Sequence, residues 1–286
     1  DTLLRVLVPR RFFVPVTPGT RFVTLGGAIA ADIHGKNHHR RGSFGSHVSS
    51  MVLRTADGQR RTISPDREPA LFWATVGGMG LTGVIEEATF RARPIASSRI
   101  SVLAERTRNL DESIARLIEL DQTAEYTVAW VDLAATGARA GRSVITSGRF
   151  AQPDELPKHW VGSPFAYDPR LPIDVPVTPP PIVLNPLSIR AFNEAWFRKA
   201  PRRPKEMISS IPGFFHPLDL VGSWNRIYGP KGFLQWQCVV PDSATDVLAG
   251  IMRQFTRTGG RSFLTVLKRF GPANEAPLSF PLAGWT

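Results

Sequence analysis

The sequence predicts an α+β fold in which helices cover an antiparallel sheet. Three observations carry this: a capped amphipathic helix at 109–121 between strand-like runs, a strand–helix–strand succession over 232–270, and a period-two run from Gly83. Of the 286 residues 42% are hydrophobic and 21% charged, which excludes wholesale disorder, collagen and coiled coil. No apolar run approaches the roughly 18–20 residues that span a bilayer. The single cysteine, Cys238, excludes a disulfide scaffold and a four-cysteine zinc site.

In chain order, LLRVLVPRRFFVPV (3–16) reads as the end of a helix feeding a strand. RFVTLGGAIAADIHG (21–35) mixes short apolar stretches with small residues. Asp57-Gly58 between MVLRTA and QRRTIS is a hairpin signal. ALFWATV (70–76) reads as the end of a helix, and VIEEATFRARPI (84–95) alternates as a half-buried strand. The pattern changes near residue 95, dividing the chain into 1–95 and 96–286. Asn109 with Glu112 resembles a capping box, and Leu110, Ile114, Leu117 and Ile118 then share a helical face.

YTVAWVDL (126–133) and RSVITSGR (142–149) read as strands. Residues 164–186 hold eight prolines, which donate no ladder hydrogen bonds, so a long extended loop is expected. GFLQWQCVV (232–240) reads as a strand with Gln235 and Gln237 on one face and Leu234, Trp236 and Cys238 on the other. A helix follows with Val247, Leu248, Ile251, Met252 and Phe255 on its apolar side and Gly259-Gly260 as its stop. RSFLTVLKRF (261–270) reads as a further strand, with Leu264, Val266 and Lys268 on a common face.

The net charge of +11 favours anionic partners: nucleic acid, phosphorylated ligands or an acidic lipid surface. No zinc-finger spacing, RNP-type aromatic motif or basic helix with heptads supports nucleic acid. The densest basic run, Arg198, Lys199, Arg202, Arg203 and Lys205, is broken by Pro201 and Pro204 and reads equally as a solvated loop or as a surface for anions.

Gly78-Met79-Gly80-Leu81-Thr82-Gly83 fits the GxGxxG pattern, but a strand-like segment follows where a Rossmann fold needs a helix, so these glycines are expected to turn tightly into a strand. His34, His38, His39 and His47 crowd together, yet Gly35 and Asn37 interrupt the helix that an i, i+4 metal pair requires, and no metal site is expected. Pro18-Gly19-Thr20 with Thr24-Leu25-Gly26-Gly27-Ala28-Ile29-Ala30 is the most informative segment. Small residues let a backbone approach a flat or phosphorylated ligand closely. GxSxG, P-loop and HExxH motifs are absent.

PGTRFVTLGGAIAADIHGKNHH, with GSFGSHV, LFWATVGGMGLTGVI, FLQWQCVVP and SFLTVLKRFGPANEAPLSFPLAGW, resembles the vanillyl-alcohol-oxidase-type, PCMH-type FAD flavoproteins over nearly the whole chain. The resemblance implies part of an FAD-binding domain in 1–95 and a substrate domain on an antiparallel sheet in 96–286. It implicates Gly19, Thr24, Leu25, Gly26, Gly27, Ala31, Asp32, Ile33, His34 and Ile85 in holding FAD, and Trp130, Gln235, Gln237 and Lys268 in the substrate pocket, with Lys268 the candidate catalytic residue.

Phe215 stands where the family commonly has tyrosine, which implies one pocket hydroxyl fewer, and Ala31 stands where cysteine is common. The implied activity is oxidation of the ribose 2′-hydroxyl of decaprenylphosphoryl-β-D-ribose to a ketone in arabinan synthesis. A short-chain reductase would be the partner and the membrane face the location. A related aldonolactone or alditol oxidase, or a basic module without catalysis, are the alternatives. Both ends read as cuts inside a longer chain, with the family's phosphate loop expected upstream and its reactive cysteine and a further lysine downstream.

Overall fold

Along Arg99–Thr107, Ile100, Val102 and Ala104 turn inward at every second position, the signature of a strand with one covered face. In the computed structural model this strand lies inside a five-stranded antiparallel sheet, in the order Lys205–Ser210, Arg99–Thr107, Ser143–Phe150, Tyr126–Val131, Val266–Leu267. The structure describes residues 1–286 except 170–172, 181–182, 231 and 259–261. The Gly259-Gly260 stop, the start of the 261–270 run and two of the loop prolines, Pro172 and Pro181, lie outside the described residues.

The helix Leu110–Asp121 covers this sheet, with Leu117 fully buried and Leu110 and Leu120 nearly so. Asn109 caps it by accepting the Glu112 N–H at 3.0 Å. The reciprocal arm of the capping box is replaced: the Glu112 carboxylate takes the N–H and guanidinium of Arg108 instead. Ile118, expected on the apolar face, is 39% exposed.

The 48–90 region forms a three-stranded antiparallel sheet in the order Arg60–Ile63, Val48–Arg54, Val84–Phe90. The Asp57-Gly58 hairpin forms as read, with Gly58 at φ +80°. The helix Pro69–Thr75 ends where expected, and the glycine-rich turn leads into Val84–Phe90. Gly83 at φ +143° is required there, because a Cβ would meet the Arg54 carbonyl oxygen at 2.2 Å.

Two apolar clusters fill the interior. One joins Phe13, Phe44, Met51, Leu53 and Phe72 to Ile100, Tyr126, Phe150, Ile211, Phe214 and Phe215, and so crosses position 95. The other packs Leu117, Ala129, Val131, Ile145, Leu248, Leu267 and Trp285. Phe215 is 1% exposed and ringed by Phe13, Tyr126, Phe150 and Phe214, so it belongs to the core rather than facing a pocket.

Three readings are corrected. Residues 232–239 make no ladder: only Val240 pairs, with Trp285, while Leu234 is 98% and Trp236 69% exposed. The alternation is present, but among the described residues no strand pairs with it. The 261–270 run does not form one strand either. Val266–Leu267 pairs with Tyr126–Val131, then Arg269–Phe270 pairs with Gly284–Trp285 in a separate two-stranded sheet. The chain pivots at Lys268, whose N–H and C=O each meet Thr286 at 2.9 Å.

The proline-rich loop runs to Asn185, one residue short of the expected bound, and Ile173–Asp174 within it pairs in parallel with Val221–Gly222. Pro186 is the first residue of the helix Pro186–Lys199, where its missing N–H costs nothing, and the Asn185 side chain caps that helix. The basic run Arg198–Lys205 is accordingly a helix end, a loop and the start of an edge strand.

Leu117→Ala is expected to lower the unfolding free energy by about 2–5 kcal/mol, the cost of a cavity in a packed helix–sheet interface. Ile118→Ala, one residue on and partly exposed, should cost far less. Urea unfolding of the two variants measures the difference.

Candidate functional site

The segment 24–34 forms a wall of small and apolar residues. Thr24 caps the helix Leu25–Ala30, its hydroxyl accepting the Gly27 N–H at 3.0 Å. Ala28 and Ile29 are buried, and Leu25 and Ile33 pack on the core. Thr24, Gly27 and Ala31, spaced i, i+3, i+7, are left exposed as a stripe of small side chains. Gly26 sits on the opposite side, where its Cβ would lie 3.7 Å from that of Ile85. Gly19 is exposed with open space where a side chain would stand.

Asp32 closes this turn in the left-handed region at φ +37° and is fully buried. Its carboxylate receives the Gly45 N–H at 2.7 Å, the Ser43 hydroxyl at 2.6 Å, the Asn274 amide at 2.7 Å and the Ser279 hydroxyl. Asp32 therefore spends its side chain tying residues 274–279 to the wall.

The adjoining His34 is the hub. Lys268 donates to its Nδ1 at 3.3 Å, and the Gln237 amide stands 3.0 Å from its Nε2. Because Lys268 can only donate, the neutral ring carries its proton on Nε2, so the Gln237 amide presents its oxygen there. Gln237 also meets the Thr286 hydroxyl at 3.2 Å. His34 and His38 both pack on Phe270, at 4.7 and 4.4 Å between ring centres. Burial pushes the His34 pKa down to about 2 and that of His38 down to about 4, so both rings are neutral at pH 7.

Two lysines enter the same cluster. Burial lowers the pKa of Lys268 to about 8; burial, with the neighbouring charge of Lys268, lowers that of Lys36 to about 7. Lys36 donates to the Phe214 carbonyl and lies 4.2 Å over the Phe214 ring. Among the described residues neither lysine has a carboxylate within ion-pair distance. Both keep part of their surface open. A desolvated ammonium without a counter-charge is costly, and an anion that reaches it removes that cost.

The structure thus brings together Gly26 with Ile85, and His34 with Gln237 and Lys268. Trp130 lies on the strand opposite Val266, two residues before Lys268, with its indole N–H donating to the Phe263 carbonyl at 2.9 Å. Gln235 is exposed and makes no hydrogen bond among the described residues, so the two glutamines do not act as a pair here. His39 and His47 lead elsewhere, to Asp121 and to the Arg41 carbonyl. No group of three or more metal-ligating side chains occurs among the described residues.

Lys36, Phe270 and Thr286 were not singled out in the sequence, and His38 was weighed only as half of a metal pair. The available signal was the recurrence of His34, Lys36 and His38 at every second position, which the i, i+4 test for a helical metal pair passes over.

No model of a described protein family matches the chain. It is 42% identical over its whole length to the decaprenylphosphoryl-β-D-ribose oxidase of Mycolicibacterium smegmatis and spans 62% of that protein. It is 37% identical to an uncharacterized protein of Streptomyces coelicolor, encoded in the mprA 5′ region, covering 99% of this chain and 78% of that one. A stretch of 107 residues, 37% of this chain and 19% of the relative, is 28% identical to a putative D-arabinono-1,4-lactone oxidase of Neurospora crassa.

The class is thus an α+β chain similar to a named sugar-lipid oxidase. The chain belongs to the family that contains the Streptomyces protein and the Mycolicibacterium decaprenylphosphoryl-β-D-ribose oxidase.

The lysines give a pH signature. Each binds its proton more weakly folded than unfolded, so its penalty is fully present below the folded pKa. The penalty is relieved as pH rises toward the ordinary value of 10.5, over windows opening at about 7 for Lys36 and about 8 for Lys268. Chemical unfolding from about pH 7 to 10 should show stability rising in the unsubstituted chain relative to Lys36→Met and Lys268→Met. Parallel curves would contradict the assignment.

Proposed function

We propose that the full-length protein is an FAD-dependent oxidoreductase that converts the ribose 2′-hydroxyl of decaprenylphosphoryl-β-D-ribose to a ketone. The observation that carries this reading is the pair of carboxylate-free lysines beside neutral His34, at the end of a wall of exposed small residues, in a chain 42% identical to an oxidase named for that substrate. The fit to FAD rests on the same features: the Thr24–Gly27–Ala31 stripe admits a flat or phosphorylated group to close range, and the lysines favour its negative charge. In this reading Gly19, Thr24, Leu25, Gly26, Gly27, Ala31, Ile33, His34 and Ile85 line the cofactor side of residues 1–95. Asp32 holds the wall from behind, and residues 96–286 supply the substrate side.

When bound, FAD supplies the acceptor for the hydride that leaves C2′. The chain's own task is to hold the sugar and to take the hydroxyl proton. Lys268, brought by burial close to physiological pH, can accept that proton in its neutral form, one N–H of which still donates to Nδ1 of His34 and orients the amine. Gln237, fixed between His34 and Thr286, and Trp130 on the neighbouring strand position the ribose.

No helix among the described residues is long and apolar enough to cross a membrane. Exposed Leu234 and Trp236, with the basic run Arg198–Lys205, support peripheral contact with a lipid surface, where such a substrate resides. A short-chain reductase would complete the epimerisation by reducing the ketone.

Purified full-length protein should show the visible absorption of oxidised flavin, bleached anaerobically by decaprenylphosphoryl-ribose and not by free aldonolactones. Bleaching by the lactone alone would instead favour the reading suggested by the Neurospora relative. Lys268→Met should keep the flavin spectrum and lower kcat/KM by about 100-fold or more. Absent flavin, or unchanged turnover, would overturn these assignments.

A further inference from the structure

The cofactor-side turn at Gly19 is held by residues that lie about two hundred positions away in sequence. Thr17, 6% exposed, shares a 3.0 Å hydrogen bond between its hydroxyl and Nε2 of His216, which is fully buried. Asp219, 4% exposed, accepts the Thr20 hydroxyl on one carboxylate oxygen at 2.6 Å. Its other oxygen accepts the Arg21 main-chain N–H at 2.7 Å and lies 3.6 Å from the Arg21 guanidinium. Two residues before His216, the Phe214 carbonyl and ring hold Lys36. The polar anchors of Thr17, Thr20 and Arg21 therefore bracket Gly19 on both sides, and all come from one short segment.

We propose that Phe214–Asp219 is a latch, with His216 and Asp219 as positioning residues that set the shape of the Thr17–Arg21 turn and, through Phe214, the place of the Lys36 ammonium. The inference rests on the FAD reading only for its consequence: a turn shaped by the substrate side makes cofactor retention depend on residues that never touch the cofactor. The geometry gives each anchor a separate role. His216 fixes the entry to the turn through Thr17. Asp219 fixes its exit by accepting a side-chain and a main-chain donor at once, one on each carboxylate oxygen. Charged residues facing Asp219 are Arg21 and, beyond it, the Asp1 carboxylate at 3.2 Å from the same guanidinium. His216 Nδ1 has no hydrogen-bond partner among the described residues, so its grip on the turn is through Thr17.

The test uses the full-length protein with Thr17→Val, which removes one anchor with little change of shape, Thr17→Ser, which restores the hydroxyl, and Asp219→Asn. Hydrogen exchange over residues 17–22 reads the latch without reference to any cofactor. Thr17→Val and Asp219→Asn should speed exchange there about tenfold, the loss of one buried hydrogen bond, while residues 126–150 stay unchanged. Flavin retention should weaken by a similar factor, about tenfold, and Thr17→Ser should recover both readouts.

Unchanged exchange at 17–22 in Thr17→Val would overturn the latch. Faster exchange with unchanged flavin affinity would overturn its consequence for the cofactor. A wild-type protein that binds no flavin would sink the functional reading, while the exchange data would still decide the latch. If Asp219→Asn does not fold, the Thr17 pair decides alone.

Discussion

Two ammonium groups withdrawn from water, with no carboxylate among the described residues to meet them, set the terms for everything around them. An ion pair would stabilise Lys36 and Lys268 and would also neutralise them. Instead, Lys36 is met by a carbonyl and an aromatic face, Lys268 by the nitrogen of a neutral imidazole. These partners orient the two cations without cancelling their charge. The cost falls on the folded chain, and a bound anion would return it, which is how a site gains affinity for a charged guest at the expense of its empty stability.

The scaffold around the cluster shows how that cost is carried. Asp32, in a left-handed conformation that few non-glycine residues adopt, binds Ser43, Gly45, Asn274 and Ser279 and so locks the chain on both sides of His34. Lys268 sits where the chain leaves one sheet for another, its main chain clamped to Thr286. A residue at such a pivot has a fixed backbone and a side chain freed from sheet alternation. The single apolar cluster running from Phe13 to Phe215 makes the wall and the large sheet one packed unit, so side chains from both halves of the sequence meet at fixed distances.

Much of this was legible in the residues. The hairpin at Asp57-Gly58, the helix capped by Asn109 and the strands at 126 and 143 follow from local turn chemistry and periodicity, which act over a few residues. What failed depends on distant neighbours. GFLQWQCVV alternates like a strand, yet alternation describes one chain and a ladder needs two, and among the described residues only Val240 finds a partner. Arg99–Thr107 was not recognised, since Glu105 sits among its inward residues; only the fold reveals that Arg116 meets it at 2.8 Å. Lys268 stood out as a charge on an apolar strand, whereas Lys36 was hidden in a histidine-rich run and became visible only when the fold placed it beside Lys268.

If the lysine pair awaits an anion, binding it must restore proton affinity to the ammonium it meets, and Lys36, which takes no part in the proton transfer, reports this. Calorimetric titration of FAD, then of decaprenylphosphoryl-ribose, into flavin-free full-length protein at pH 8, repeated in buffers of different ionisation enthalpy, counts the protons exchanged. A net uptake on the FAD step, diminished in Lys36→Met, is the result this account requires. Binding with no uptake, or with release, would mean that the cluster is finished by the protein itself and that its charge serves no guest.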